Sequence, residues 1–297
     1  MTERLDGRPV CEEIKRRTRA TVEEGMRRGW PRPALVSVHR GLPTPFYFYL
    51  KNQGKGAADV GVQFRSEALP SGAGMAELEG MLARFESDPG VHGVLVEHPL
   101  PEPFDFPQAL SRLRAEKDVD GVGWSNLGHL VSGRPVQVPA VALAAMAIVE
   151  HYHIPVSGKR VAVVGRSGTV GLPLTLLLLA KGAKGDATVT VAHSRTPDIA
   201  RSLEGSEVIM SCVGRPGLLN RKTVPQGAAV IDVGLSSIED PLKPGAMKAV
   251  GDADPTDLDG WAGSLTPVPG GVGPVTVALL MANAVHGWVL QMGGSSH

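Results

Sequence analysis

The chain has 297 residues, long for one compact domain and comfortable for two. Thirty basic and thirty acidic side chains cancel, and hydrophobic residues are 42%, so the composition is that of a soluble globular protein without the basic stripe of a nucleic-acid or membrane-surface binder. Two cysteines cannot build a disulfide framework, and the charged amino terminus has no apolar signal core, so a cytoplasmic protein is expected.

In chain order, residues 8–28 carry apolar positions at helical spacing and end at Gly29-Trp30-Pro31. ALVSV at 34–38 reads as a strand, 45–60 as a helix, FRSEAL as a strand and 74–87 as a helix. VHGVLVEHPLP (91–101) is a buried strand running into a Pro-rich turn. This alternation predicts a parallel sheet covered by helices. A second unit begins near 139 with the helix AVALAAMAIVEHY, then GKRVAVVGRSG as turn, strand and Gly-containing loop. LPLTLLLLAKG is a buried helix; its core at 172–180 is the most apolar window and is too short to span a bilayer. ATVTVAHSRT, EVIMSCVG (closing on Gly214) and AAVIDVG are further strands, which makes the second unit a doubly wound, Rossmann-type nucleotide-binding arrangement. The apolar tail PVTVALLMANAVHGWVLQ is one helix, expected to return and pack on the first unit. The expected α/β domains are 1–138 with 267–297, and 139–266.

The loop Gly165-Arg166-Ser167-Gly168-Thr169-Val170-Gly171 follows a strand and opens a helix. Small residues there let the backbone approach a pyrophosphate, and the helix N-terminus offers free N–H groups. Ser167 replaces the usual second glycine and Gly171 falls one place late; a glycine-rich packing turn is the plainer alternative. At the end of the next strand an acidic residue would select NAD. This chain has His193-Ser194-Arg195 instead, hydroxyl and cationic groups suited to the 2′-phosphate of NADP, with Arg166 a second clamp.

Taken together, GVLVEHPLP (93–101), KDVDG (117–121), NLGHL (126–130), VVGRSGTVGLP (163–173), HSRT (193–196), VIDVG (230–234), VGDAD (250–254) and TPVPGGVGPVT (266–276) resemble the bifunctional methylenetetrahydrofolate dehydrogenase/methenyltetrahydrofolate cyclohydrolase family, in that family's order and over nearly the full length. The resemblance implies a folate-binding catalytic domain, an NADP domain, a cleft between them and a homodimer. It places Pro269, Gly270, Gly271, Gly273 and Thr276 against substrate and nicotinamide. It assigns cofactor contacts to Gly165, Arg166, Ser167, Thr169, Val170, Gly171, His193, Ser194, Arg195 and Gly214. Asp120 would accept the paired N–H donors of a pterin.

The departures carry as much information. The family's folate site usually has Tyr-x-x-x-Lys on a helix and a Gln in VQLPLP. Counting back without gaps from Ala57-Ala58-Asp59-Val60-Gly61 puts the tyrosine at Tyr49 and the lysine position at Gln53; the glutamine becomes Glu97. A shifted register, Tyr47 with Lys51, also has i, i+4 spacing, with Thr44 ahead of it, but it inserts two residues into the helix and turns its following face by roughly 200°. The string PCTP becomes Pro139-Ala140-Val141-Ala142. Gln53 cannot ionise, so hydride transfer to NADP is expected to survive better than hydrolysis, unless Glu97 serves as the base. Two alternatives stay open: a diverged member acting on another substrate, and a protein that binds NADP or folate without turnover. His151 and His153 lack a third metal ligand. Asp232 and Asp252 read as turn or cofactor residues, and Cys212 as core.

Overall fold

A computed structural model describes residues 1–40, 44–97, 100, 104–240, 243, 245 and 247–293, and of 44–49 the backbone alone. The elements run β1 (Glu3–Arg4), α1 (Gly7–Arg27), β2 (Ala34–His39), α2 (Thr44–Val60), β3 (Gln63–Ala68), α3 (Met75–Ser87), β4 (Gly93–Val96), α4 (Phe106–Leu110), α5 (Trp124–Val131), α6 (Ala140–His151), β5 (Arg160–Val164), α7 (Gly171–Leu179), β6 (Thr188–Ala192), α8 (Ile199–Leu203), β7 (Val208–Ser211), β8 (Ala229–Asp232), β9 (Ser236–Glu239), β10 (Met247–Val250), α9 (Pro255–Leu258), β11 (Ser264–Leu265) and α10 (Val272–Gln291). Two compact units emerge: Glu12–Ala140 with Val277–His297, and Met1–Cys11 with Val141–Thr276.

In the unit of Glu12–Ala140, parallel strands lie in the order β3-β2-β4. Lys117–Val119 runs beside β4: Val94 N donates to Lys117 O (2.7 Å), and Val94 bridges Asp118 in parallel. Strand alternation sends Val36, Val38, Val94 and Val96 into one core with Leu78, Leu82 and Phe85 of α3. Leu35 and Leu95 go to the opposite core, with Val22, Ala57 and Val60 and with Met281, Val285 and Trp288 of α10. The tail helix therefore returns to these strands, as expected. Gly25 carries no side chain because a Cβ there would lie 2.2 Å from the Trp288 ring.

α10 is, among the described residues, the helix long and apolar enough to cross a membrane; 61% of its apolar window is buried in the protein, the state of a core helix.

The other unit holds a parallel sheet of order β6-β5-β7-β8-β11-β1. The chain steps from β5 to β6 on one side and returns to β7 on the other, so the order reverses between β5 and β7. In doubly wound sheets ligands bind outside the carboxyl ends of the strands at such a point. β1 joins the far edge through β11, with Leu5 N donating to Leu265 O (2.9 Å). The pairing of these two-residue strands leaves no mark in the sequence. β9 and β10 form a separate antiparallel hairpin.

Candidate active site

At the carboxyl end of β5 the chain turns into α7 through Gly165–Val170. Gly165 has φ 129°, and a Cβ on it would stand 2.4 Å from Cys212 Sγ. A Cβ on Gly171 would stand 2.4 Å from Gly165 O, so strand and helix meet without side chains between them. Ser167, in the place of the usual glycine, uses its Oγ to accept from Val170 N (3.2 Å) and Gly171 N (3.4 Å). Its hydroxyl therefore ties the loop to the start of α7, whose N-cap is Val170. Gly168 faces open space, and Arg166, Ser167 and Gly168 are exposed. This is a cradle that a phosphate can approach.

Past β6, His193 organises its own turn. Its N–H donates to Thr196 Oγ1 (2.9 Å), and its Nδ1 accepts from Arg195 N (3.1 Å). Ser194 and Arg195 are exposed, and the Arg195 guanidinium is available to an anion. Past β7, Cys212 lies just beyond the strand, half-buried rather than in the core. Burial and, second, Asp252 push its thiol up to about 12, which favours the protonated thiol at neutral pH.

Asp232 and Asp252 brace these strand ends. Asp252 Oδ2 accepts from Ser211 Oγ (2.6 Å) and Val213 N (2.9 Å), and Oδ1 from Arg215 N (2.6 Å). That fixes the loop holding Gly214, whose φ is 66°. Asp232 accepts from the N–H groups of Gly234, Asp252 and Ala253 at 2.8–3.0 Å. Burial raises its carboxyl to about 6, against those hydrogen bonds and with the Asp252 charge assisting.

The glycine loop before α10 is shaped from below. Gly270 O accepts from Gly7 N (2.9 Å), and Gly271 N donates to Pro267 O (2.8 Å). A Cβ on Gly7 would lie 1.9 Å from Gly271 O, so Gly7 belongs to this loop although nothing in the sequence marks it. Val268–Pro269 is cis, Pro269 and Gly273 are exposed, and Thr276 Oγ1 donates to Val272 O (3.2 Å).

In the first-described unit, the carboxyl edge of β3-β2-β4 gathers the remaining candidates. Gln53 on α2 is fully buried, and its Nε2 donates to Glu97 Oε1 (2.8 Å). Ser37 Oγ on β2 donates to the same oxygen (2.7 Å). Gln53 Oε1 is buried without a hydrogen-bond partner. Lys51 is exposed, so the residue that faces Glu97 is the one the ungapped register selects. The rings of Tyr47 and Tyr49 lie outside the described residues, as do His98, Pro99 and Pro101 of the strand-end turn. Asp120 is buried at the end of the segment beside β4, and its carbonyl accepts from Ala140 N (3.3 Å). Its neighbour Asp118 is the more enclosed carboxylate. It accepts from Gly121 N, Gly123 N and Asn126 Nδ2 at 2.8–3.0 Å, and burial raises it to about 6. Lys117 turns away, giving its ammonium to the carbonyls of Phe85, Glu86 and Asp88 at 2.8–3.0 Å. Thus in KDVDG the lysine and first aspartate build the turn, and the second aspartate is buried beside them.

Comparison with known proteins decides what these two half-sites belong to. Residues 5–120 match the catalytic domain of tetrahydrofolate dehydrogenase/cyclohydrolase, and residues 139–292 its NAD(P)-binding domain. This chain belongs to the tetrahydrofolate dehydrogenase/cyclohydrolase family. The bifunctional protein FolD of Desulfovibrio desulfuricans is 37% identical over 284 residues, 96% of this chain and 97% of that protein. A 5,10-methylenetetrahydrofolate dehydrogenase from the silkworm Bombyx mori superposes with a TM-score of 0.90 at 31% identity, over 99% of this chain and 100% of that one. The FolD of Trypanosoma brucei, solved with NADP and an inhibitor, gives 0.89 at 36% identity over 97% of each chain.

Within the tetrahydrofolate dehydrogenase/cyclohydrolase frame, sequence reasoning missed three contributors: Ser37, Asp118 and Gly7. Strand alternation around Ser37 and the capping potential of Asp118 before Gly121 were the only signals available. Among the described residues no cluster of His, Cys, Asp or Glu could hold a metal ion, His151 and His153 included.

Proposed function

We propose that this family member oxidises methylenetetrahydrofolate to methenyltetrahydrofolate with NADP and hydrolyses the product weakly. The observation that carries the reading is the buried Gln53–Glu97 hydrogen bond standing where the family's lysine and glutamine are expected. NADP, when bound, supplies the hydride acceptor. Its pyrophosphate is assigned to the N–H groups around Ser167–Gly171, and its 2′-phosphate to Ser194 and Arg195 with Arg166 adjacent; the open face at Gly168 supports the first assignment. The glycines at 270, 271 and 273 permit close backbone approach to a flat ring. The functional halves are 139–266 for NADP and 1–138 with 267–297 for folate.

In the folate half, Asp120 accepts the two N–H donors of the pterin, and Tyr49 stacks on it. Hydride departure leaves an amidinium-like cation, and the step depends on alignment more than on proton transfer. Glu97 places a carboxyl group near that developing charge, and Gln53 adds no positive charge beside it. Both favour the oxidised product. Hydrolysis needs a proton acceptor for the attacking water, which Gln53 cannot be. Exposed Leu235, Ile238 and Met247 beside and on the β9–β10 hairpin support a homodimer through the NADP half.

The test is an ultraviolet time course of the purified protein with methylenetetrahydrofolate and NADP, with NAD in parallel. NADPH formation with lingering methenyl absorbance is expected. No NADPH from a protein that still binds NADP would overturn the reading and favour another substrate.

A further inference from the structure

One ionisable side chain at the folate edge has no role so far. His39 ends β2, and its Nδ1 is buried without a hydrogen-bond partner. Alternation along β2 fixes its direction. Leu35 packs toward α2, Ser37 reaches the Gln53–Glu97 pair, and His39 is the next residue on that face. Across the ladder, Val38 pairs with Val96 and Glu97 N donates to Val38 O (2.8 Å). The register therefore sets His39 opposite Glu97, on adjacent parallel strands about 4.8 Å apart. Two unpartnered buried polar atoms, His39 Nδ1 and Gln53 Oε1, thus belong to one strand-end cluster that already holds a carboxyl group and a hydroxyl. Buried polar atoms are nearly always satisfied, so both atoms are placed to meet a group or a water that enters this cluster.

We propose that His39 is the proton-transfer residue of methenyl hydrolysis in this chain, with Glu97 and Gln53 orienting the attacking water. The inference rests on the folate reading above. As water forms its bond to the methenyl carbon, one of its protons moves to the neutral imidazole. The resulting carbinolamine collapses: its C–N bond breaks, the imidazolium returns the proton to the departing nitrogen, and the hydroxyl proton goes to solvent as the formyl carbonyl forms. One water is consumed and one proton released, and no electrons change hands.

Burial lowers the pKa of His39, so it stands as the free base at neutral pH. The titratable or charged groups around it are Glu97 across β4 and Arg40 next in the chain, whose guanidinium lies 5.2 Å from the Phe104 ring centroid. On β3 the partner is Ala68. Glu67 lies beside Val38, toward the opposite face, and pairs with Arg84 (2.6 Å).

The experiment follows methenyltetrahydrofolate decay and NADPH formation separately, in the wild type and in His39→Gln. Decay above the buffer rate is expected to fall about 10²-fold in the variant, the scale of one general acid–base group, with NADPH formation within threefold. The initial rate of wild-type decay, corrected for buffer, should also fall as pH drops below the usual histidine pKa near 6.5. Unchanged decay in the variant, an equal loss of both activities, a wild type no faster than buffer, or a decay flat with pH would each overturn the proposal. The last two need no variant, so a misfolded His39→Gln does not rescue it. NADPH formation by the wild type reports on the dehydrogenase reading independently.

Discussion

At Gln53 and Glu97 the chain has a glutamine hydrogen-bonded to a carboxyl group, in the positions that the reading proposed above gives to the family's lysine and glutamine. On that reading a lysine's positive charge is absent beside the reacting carbon, and a carboxyl group stands in the glutamine's place. At an effective dielectric constant near 20, a unit charge 4–5 Å from a cation is worth on the order of 3–4 kcal/mol, enough to shift an equilibrium more than tenfold. Restoring the pair with Gln53→Lys and Glu97→Gln together should raise hydrolysis at least tenfold and remove lingering methenyl absorbance. An unchanged decay in a folded double variant would show that the pair does not set the rate. Asp118 makes a different residue-scale case. All its hydrogen bonds are accepted ones, so Asp118→Asn would turn an NH2 toward groups that only donate. A loss of about 1–3 kcal/mol in urea unfolding is expected.

The strand-to-helix turns decide the NADP half at the scale of elements. β5 and α7 touch backbone to backbone, so Gly171→Ala would push a methyl against Gly165 O and force the loop open. NADP affinity should fall at least tenfold in a fluorescence titration. Unchanged affinity in a folded Gly171→Ala variant would show that the contact between β5 and α7 does not set the cofactor loop. The β4-side turn depends on Lys117. Its buried ammonium holds three carbonyls at the carboxyl end of α3, so Lys117→Met leaves them without that donor. Destabilisation of at least about 2 kcal/mol is expected, with little change in KM for NADP.

For the whole molecule, stability as a function of pH reflects groups far from the chemistry. His92 is buried, its Nδ1 accepts from Ala34 N (3.1 Å), and burial with the Lys117 charge lowers its pKa. The unfolded chain binds a proton there more readily than the native one. His92 therefore contributes stability that is present above the usual histidine pKa near 6.5 and is lost as pH falls through its lower native value. In His92→Gln, which can still accept from Ala34 N, the fall in melting temperature between pH 7 and 5 should be shallower than in the wild type. Identical slopes would exclude His92 as a source. Asp118 and Asp232 act with the opposite sign. Their native carboxyls, raised to about 6, bind protons that the unfolded chain has released, so their contribution declines as pH rises from about 4 to 6.

Much of this was legible in the sequence, because period and punctuation are local. Apolar runs with β-branched residues marked β2, β4, β5, β7 and β8. Helical spacing marked α1, α2 and α3, and Gly165–Gly171 announced a phosphate loop from its place between strand and helix. The motif set pointed to the family, and counting back from Ala57 selected Gln53, which the fold buries against Glu97. Other features depend on groups distant in the chain, and no local signal carries them. Ser37 reaches Glu97 across 60 positions, and Gly7 is excluded from bearing a side chain by Gly271. β1 closes the edge of a sheet whose other strands begin at residue 160, and His39 meets the folate edge only because β2 and β4 pair in one register. Sequence by itself determined which elements form and which chemical groups the chain owns, since both follow from local conformational preference and residue type. Tertiary structure alone decided which of those groups share a strand end, because parallel pairing joins residues by register and not by distance along the chain.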